Sequence, residues 1–192
     1  MVLKDVEGNG QMWVNINGGL YRLEKRGNRL VRKEIAPAMR ILGGLFVTDM
    51  LRRNADVWIA TNAGLYRYDC HRKTLEAFKN SVVAGSLSHD FVSSLAIGDG
   101  GTLLVGTLGG VNIYRDCTRD FELWNASSPV NPLSSNFVNC IFTFHHQLWV
   151  GTENGGIVKL TPRRLLLNNF YHTPAPGSLS SNLVNAMYAV SY

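Results

Sequence analysis

Side chains that could carry out chemistry are sparse in this sequence. His145 and His146 are adjacent, but no acidic residue accompanies them locally, and a bound metal would need further ligands there. Cys70, Cys117 and Cys140 are too widely separated for a Cys-x-x-Cys metal site. No P-loop, His-Glu-x-x-His motif, calcium loop or Gly-x-Ser-x-Gly elbow occurs. The sequence therefore predicts no catalytic residue, no metal site and no cofactor.

A second group of polar residues suits recognition rather than catalysis. Amide groups both donate and accept hydrogen bonds, which matches the hydroxyl groups of a neutral sugar. Asparagine and aspartate also close tight turns, so a purely structural role is the simpler alternative for them. The candidate ligand-binding residues are Asn17, Asn62, His89, Asp90, Asn136, Asn154 and Asn182.

An internal repeat indicates which elements would hold these side chains. Its best copy is the segment Leu148–Gly156, which reads Leu-Trp-Val-Gly-Thr, two further residues and Gly-Gly. The second position of this pattern is occupied by Trp13, Trp58, Leu104 and Trp149, at spacings of 45, 46 and 45 residues. Near-identical spacings with matching flanks indicate a repeat architecture.

Two further registers give the same period. The segment Leu87–Val92 matches Leu133–Val138 and Leu179–Val184, each starting 46 residues after the one before. Aromatic residues also recur at 78, 124 and 170, again 46 residues apart. Because three registers agree, the repeat is a property of the whole chain.

Each repeat unit is predicted to contain four short strands. In the third unit these are Phe91–Ile97, Thr102–Thr107, Val111–Arg115 and Phe121–Asn125. A period of 40–50 residues with four strands is typical of a β-propeller blade. Stacked blades bury both faces of each sheet, in agreement with a charged fraction of only 17%. The predicted fold is therefore all-β, a β-propeller of four-stranded antiparallel blades, with the four anchor residues packed between adjacent blades.

The chain length corresponds to about four blades. The expected ranges are 1–39 for blade 1, with an incomplete first strand, 40–84 for blade 2, 85–130 for blade 3, 131–176 for blade 4, and 177–192 for the first strand of a fifth blade. A seven-bladed ring would need about 320 residues, so we expect a partial arc of such a ring. An open arc exposes blade faces and strand edges, which predicts self-association, for example as a dimer that closes a ring, unless four blades close alone.

Propeller topology would gather the candidate binding residues at one end of the arc. Successive strands run antiparallel, so the loop entering strand one and the turn joining strands two and three lie at the same end of a blade. All seven candidates fall in these loops and turns. Loops on a rigid scaffold are where recognition usually resides, which makes this end the predicted binding face.

The charge and hydropathy patterns exclude some partners. The net charge of +5 arises from scattered basic pairs, and no nucleic-acid-binding motif accompanies them, so no nucleic acid is expected. No run of about 18 apolar residues is present, and we expect no membrane contact from this segment. The first residues do not have the pattern of a signal peptide, which is uninformative if the chain is an excised arc.

The repeat resembles the two-component regulator propeller repeat, on the residues of Leu148–Ile157 and of Leu133–Val138. It departs from that pattern at Val14–Ile16 in the first unit and at Leu104 in the third. The resemblance implies a seven-bladed propeller in the periplasmic sensor region of a Bacteroides-type hybrid histidine kinase. Such a parent is membrane-anchored, its ligands are oligosaccharides, and its kinase and phosphorelay groups lie outside this chain.

Three functions remain open on this evidence. The first is a sensor propeller that recognises an oligosaccharide or transmits its binding to a histidine kinase. The second is a scaffold for protein–protein interaction or dimerisation. The third, a metal-assisted enzyme similar to streptogramin lyase, would need a cluster of histidine and carboxylate side chains. His89 and Asp90 are the best candidates for that cluster, but Ser135-Asn136 occupies the equivalent place in the next unit.

Overall fold

The computed structural model describes residues 3–4, 12–16, 19–27, 29–34, 42–130, 132–161 and 166–189, and these residues form β-strands joined by short turns. In chain order the strands are β1 Leu3–Lys4, β2 Met12–Ile16, β3 Gly19–Arg26, β4 Arg29–Glu34, β5 Val47–Arg53, β6 Asp56–Thr61, β7 Gly64–Asp69, β8 Thr74–Phe78, β9 Val92–Ile97, β10 Leu103–Thr107, β11 Gly110–Arg115, β12 Asp120–Trp124, β13 Val138–Phe144, β14 Gln147–Thr152, β15 Ile157–Leu160 and β16 Leu166–Phe170. They pair as four antiparallel meanders of four strands, β1–β4, β5–β8, β9–β12 and β13–β16, called blades 1 to 4 below. The predicted all-β fold of four-stranded antiparallel blades is confirmed.

Burial follows from the position of a strand within its blade. All five residues of β10 are buried, because this strand lies inside its sheet and packs against a neighbouring sheet on each face. The outermost strand β12 buries only Phe121 and Trp124 of its five residues. The strands found in blade 3 begin and end within one residue of the predicted ones, because short turns mark their ends, two of them rich in glycine.

The anchor residues of the repeat pack between adjacent blades. Trp13 is clustered with buried residues of blade 2, Trp58 with buried residues of blade 3, and Leu104 with buried residues of blade 4. All three side chains are at most 5% exposed. The prediction for these three positions is confirmed.

The first strands of neighbouring blades are also joined by hydrogen bonds. Thr48 Oγ1 donates to Val92 O at 2.5 Å, and Ser93 Oγ donates to Val138 O at 2.5 Å. Thr48 and Ser93 each lie where a β-bulge interrupts the pairing of strand one with strand two. A bulge bends the strand and turns one side chain out of the ladder, which here lets it reach the next blade.

Residues 178–189 form no β-strand, although a first strand of a fifth blade is expected within 177–192. Val184 donates its N–H to Thr152 O at 2.9 Å, but no described strand extends this contact into a ladder. The blade boundaries lie in loops and stay predictions. Cys70, Cys117 and Cys140 are free thiols. Within the described residues, no helix is both long and apolar enough to cross a membrane.

Candidate functional site

The threonine of the repeat closes the turn between the second and third strands of its blade. Thr107 Oγ1 donates to Gly110 O at 3.0 Å and accepts the Gly109 N–H at 3.0 Å. Thr61 and Thr152 form the same two bonds in blades 2 and 4. All three threonines are fully buried, so this part of the motif serves the fold.

The glycine before that threonine marks the closest approach of two blades. A Cβ atom on Gly106 would lie 2.9 Å from Val138 Cγ1 of the next blade, and one on Gly151 would lie 2.8 Å from Val184 Cγ1. Blade 2 has Ala60 at this position, and that residue is fully buried. The small residue therefore makes room for the first strand of the following unit.

Three of the predicted binding residues close the loop that enters strand one. Each accepts, through its side-chain oxygen, the backbone N–H of the residue ten positions earlier. The pairs are Asn80 N with Asp90 Oδ1 at 2.7 Å, Ala126 N with Asn136 Oδ1 at 2.8 Å, and His172 N with Asn182 Oδ1 at 2.6 Å. The recurrence of one bond in three units shows that these side chains organise the loop.

Three other candidates also form hydrogen bonds within the protein, and two of them join the turn between strands two and three to the loop that enters strand one of the same blade. Asn62 Oδ1 accepts the Phe46 N–H at 2.9 Å, and Asn154 Oδ1 accepts the Ser135 hydroxyl at 2.8 Å. His89 is exposed, and its Nδ1 accepts the Phe91 N–H at 2.9 Å. The seventh candidate, Asn17, lies outside the described residues.

These loops and turns form one end of the arc, called the turn face. Gly64 N donates to Asp90 O at 2.7 Å, and Gly156 N donates to Asn182 O at 3.0 Å. The turn of one blade is therefore bonded to the entering loop of the next, which places Asn62 beside Asp90. In each of the five described candidates that carry a side-chain oxygen, one oxygen already accepts a hydrogen bond from the protein. A ligand-binding role for the candidates stays a prediction.

A cleft that the sequence analysis did not predict opens at the other end of the arc. It has a volume of about 380 Å³ and lies between blades 3 and 4, at the turns that join their first and second strands. Its apolar floor includes Leu104, Ile113 and Leu148, each at most 9% exposed. Its polar rim consists of Asp99, Thr102, Thr143, His145, His146 and Gln147.

The equivalent space between blades 2 and 3 is filled. Trp58 lies there with its ring centroid 4.9 Å from that of Tyr114 and 5.5 Å from that of Phe78. The Arg67 guanidinium lies 5.8 Å from the Trp58 ring. Arg53, at the end of strand one, reaches across to blade 3, where its Nε donates to Gly101 O at 2.7 Å.

An ion pair at the surface also links blades 2 and 3. Arg53 Nη2 lies 2.5 Å from Asp116 Oδ2, although the Asp116 side chain is 63% exposed. The hydrogen bond from Arg53 holds the pKa of the Asp116 carboxyl below its usual value. Arg119 of blade 3 similarly pairs with Glu76 of blade 2.

The five histidines do not gather with acidic or thiol groups. Among the residues that the structure describes, no three His, Cys, Asp or Glu side chains lie close enough together to hold a metal ion. His146 Nδ1 approaches Asp99 Oδ1 at 3.5 Å across the mouth of the cleft. His145 and His146 form the turn between β13 and β14.

The signal that could have located the cleft is a departure from the repeat. Leu104 departs from the sequence pattern because it stands in place of tryptophan. The other two small residues at this boundary, Gly98 and Ile113, lie in the turn before β10 and in β11, and only the folded blade, in which Leu104 pairs with Ile113, brings the three together.

No family model matches the sequence, and no curated protein is significantly similar to it. Solved structures share its fold. The extracellular domain of a protein assigned to a hybrid two-component system of B. thetaiotaomicron is 20% identical, with a TM-score of 0.66 over 88% of this chain and 24% of that chain. The extracellular domain of a protein assigned to a one-component system of the same bacterium is 18% identical, with a TM-score of 0.64 over 96% and 32%. The WD40 domain of Neurospora crassa Pan2 is 9% identical, with a TM-score of 0.60 over 88% and 48%.

The chain thus spans between a quarter and a half of the length of these structures. At this level of identity, the likeness establishes the propeller fold. The similar structures include extracellular domains of the class of sensor that the sequence repeat resembles.

Proposed function

We propose that this chain is part of the extracytoplasmic sensor region of a two-component system, and that it recognises an oligosaccharide or transmits its binding to a histidine kinase. The observation that carries the proposal is the structural match to the extracellular domain of a hybrid two-component system over 88% of the chain. The repeat motif independently resembles the same class of sensor. In this proposal the segment is periplasmic and non-catalytic, and the phosphorelay takes place elsewhere in the parent protein.

Calorimetry on the full sensor region that contains this chain tests the proposal. The region is titrated with a panel of neutral and acidic oligosaccharides, and the full-length protein is then assayed for autophosphorylation with and without any sugar that binds. We expect one class of oligosaccharide to bind and to change the rate of autophosphorylation. A lack of binding across a broad panel would contradict direct sensing.

A second function, as a scaffold for self-association, has one observation in its favour. Trp149 stacks on Phe170 with ring centroids 6.0 Å apart, and Lys159 Nζ lies 4.7 Å from its ring, so blade 4 repeats the arrangement of Trp58 in blade 2. Trp58 also contacts the ring of Tyr114 in blade 3, whereas within the described residues Trp149 has no ring partner from another blade.

Sedimentation velocity separates the two functions. A pure scaffold should assemble to the same extent with and without a bound oligosaccharide. A sensor should bind sugar whatever its state of assembly.

A further inference from the structure

We propose that the cleft between blades 3 and 4 is a ligand site for a neutral, hydroxyl-rich ring compound, of the size of one or two sugar residues. This inference rests on the proposed sensor function and gives it a location. It places the ligand at the opposite end of the arc from the turn face, in a space that no motif of the repeat marks.

Three large side chains of the boundary between blades 2 and 3 have smaller counterparts at this one, although Trp124, which also lines the cleft, is larger than its counterpart Phe78. Gly98 occupies the position of Arg53, Leu104 that of Trp58, and Ile113 that of Arg67; these pairs are equivalent by register. Gly98, Leu104 and Ile113 all line the cleft.

Blade 4 does not fill this space with a larger side chain of its own. Leu160 stands where blade 3 has Tyr114, the residue that contacts Trp58 across the previous boundary. An unfilled space in a packed interface lowers the stability of the protein. Three smaller side chains at one boundary therefore indicate that the space is kept for a ligand.

The lining defines the class of that occupant. The volume of about 380 Å³ falls in the range of small-molecule sites, about 300–1,000 Å³. The floor of Leu104, Ile113 and Leu148 suits the apolar face of a ring, and the hydroxyl, amide and imidazole groups of the rim suit its hydroxyls. The described lining has one carboxylate, Asp99, and no lysine or arginine, so it offers no permanent positive charge to a phosphate, sulfate or uronate group.

The mouth of the cleft is held in shape from both blades. His145 and His146 occupy a two-residue hairpin turn with φ angles of 48° and 59°, a turn that glycine and asparagine ordinarily fill. The Phe144 ring packs against His145 with centroids 4.0 Å apart, which fixes the turn. On the facing blade Asp99 lies in the turn that precedes β10, and its carboxylate is 3.5 Å from His146 Nδ1.

The test substitutes Leu104 by the residue that the other units use. Leu104→Trp should fill the cleft as Trp58 fills its own boundary, while retaining the fold. The full sensor region is titrated by calorimetry with neutral disaccharides (cellobiose, maltose and mannobiose) and with uronate-containing and sulfated disaccharides. We expect at least one neutral disaccharide to bind the unsubstituted protein, and Leu104→Trp to raise its Kd more than tenfold.

Two further variants keep the test decisive. Thr143→Ala combined with Gln147→Ala removes two rim groups without disturbing the floor, and should raise the Kd about tenfold. His89→Ala tests the alternative site, the turn face: a Kd that rises in this variant and not in the two cleft variants places the ligand there. If Leu104→Trp does not fold, the rim variant alone decides the location.

The outcomes separate this inference from the sensor function. Binding that survives Leu104→Trp and the rim variant, or that is lost only in His89→Ala, overturns the cleft as the site while the sensor function stands. Binding of acidic disaccharides alone overturns the ligand class. No binding of any sugar overturns both proposals.

Discussion

Replacement of Trp58 by leucine tests whether the anchor residue stabilises the arc through contacts between blades. The side chain is 1% exposed and contacts Phe78 in its own blade and Tyr114 in the next. A buried Trp→Ala change costs about 3–5 kcal/mol, and a buried leucine restores about 1.5–3 kcal/mol through its own apolar surface. We therefore expect Trp58→Leu to lower the free energy of unfolding by about 2 kcal/mol.

Urea denaturation followed by tryptophan fluorescence and circular dichroism measures this loss. With an m-value of about 2–3 kcal/mol/M, the midpoint should fall by about 0.7–1 M. Trp149→Leu is the matched control, because Trp149 also stacks on a phenylalanine and lies beside a cation, Lys159 in place of Arg67, but has no ring partner from another blade within the described residues. It should cost less than about 1 kcal/mol.

An equal loss in the two variants would refute the reasoning, since it would assign the stabilisation to the stack within one blade. A double-mutant cycle between Trp58 and Tyr114 gives the blade–blade contribution directly. We expect a coupling of about 0.5–1.5 kcal/mol, and a coupling near zero would contradict the proposed role of this contact.

Three further predictions follow from single contacts. Thr107→Val removes both turn bonds of a fully buried hydroxyl and should cost about 1–3 kcal/mol in urea denaturation, whereas Thr107→Ser should restore most of the loss. Burial raises the pKa of Cys140 to about 11, so only about one thiol in a thousand is ionised at pH 8. A chromogenic disulfide reagent should therefore label the exposed Cys117 and leave Cys140 unlabelled until urea is added. Rapid labelling of both thiols in the folded protein would contradict this. Arg53 lowers the pKa of Asp116 in the folded state, so their pair stabilises the fold above the unfolded pKa of about 3.9 and ceases to do so as the pH falls through the lowered pKa. Asp116→Asn should therefore cost about 0.2–1 kcal/mol at pH 7, and this cost should shrink as the pH falls below about 3.9. A cost that does not change with pH would contradict the assignment.

The fold was predictable because the residues that mark the ends of the strands recur from one repeat unit to the next. Turn glycines and the buried threonine recur in three units, so the strands of blade 3 could be placed to within one residue. For the predicted binding residues, the sequence pattern leaves two roles open. Asp90, Asn136 and Asn182 recur because each closes the same ten-residue loop, a role that a sequence pattern cannot separate from recognition.

The cleft was not predictable for a different reason. Gly98, Leu104 and Ile113 lie in one turn and two strands, and each is unremarkable by itself. Their effect depends on strand register and on which blade they face, and both are properties of the packed structure. Only a comparison with Arg53 and Trp58 at the preceding boundary shows that bulk is missing there.

The boundary between blades 3 and 4 has a packed part, which stabilises the fold, and an open part, which is the proposed ligand site. Near the first strands it is closed by Val138 and Ile141, which are buried with Leu104 in one cluster, and it is open at the hairpin end. If the open part is kept for a ligand, Leu104→Trp should raise the free energy of unfolding by about 0.5–2 kcal/mol, as cavity-filling changes commonly do, while it abolishes binding. The measurement is the urea midpoint of the same variant that is used in the calorimetry. A lower midpoint would mean that the interface is already packed around leucine, and the absent bulk would then be a feature of the fold and not evidence for a ligand.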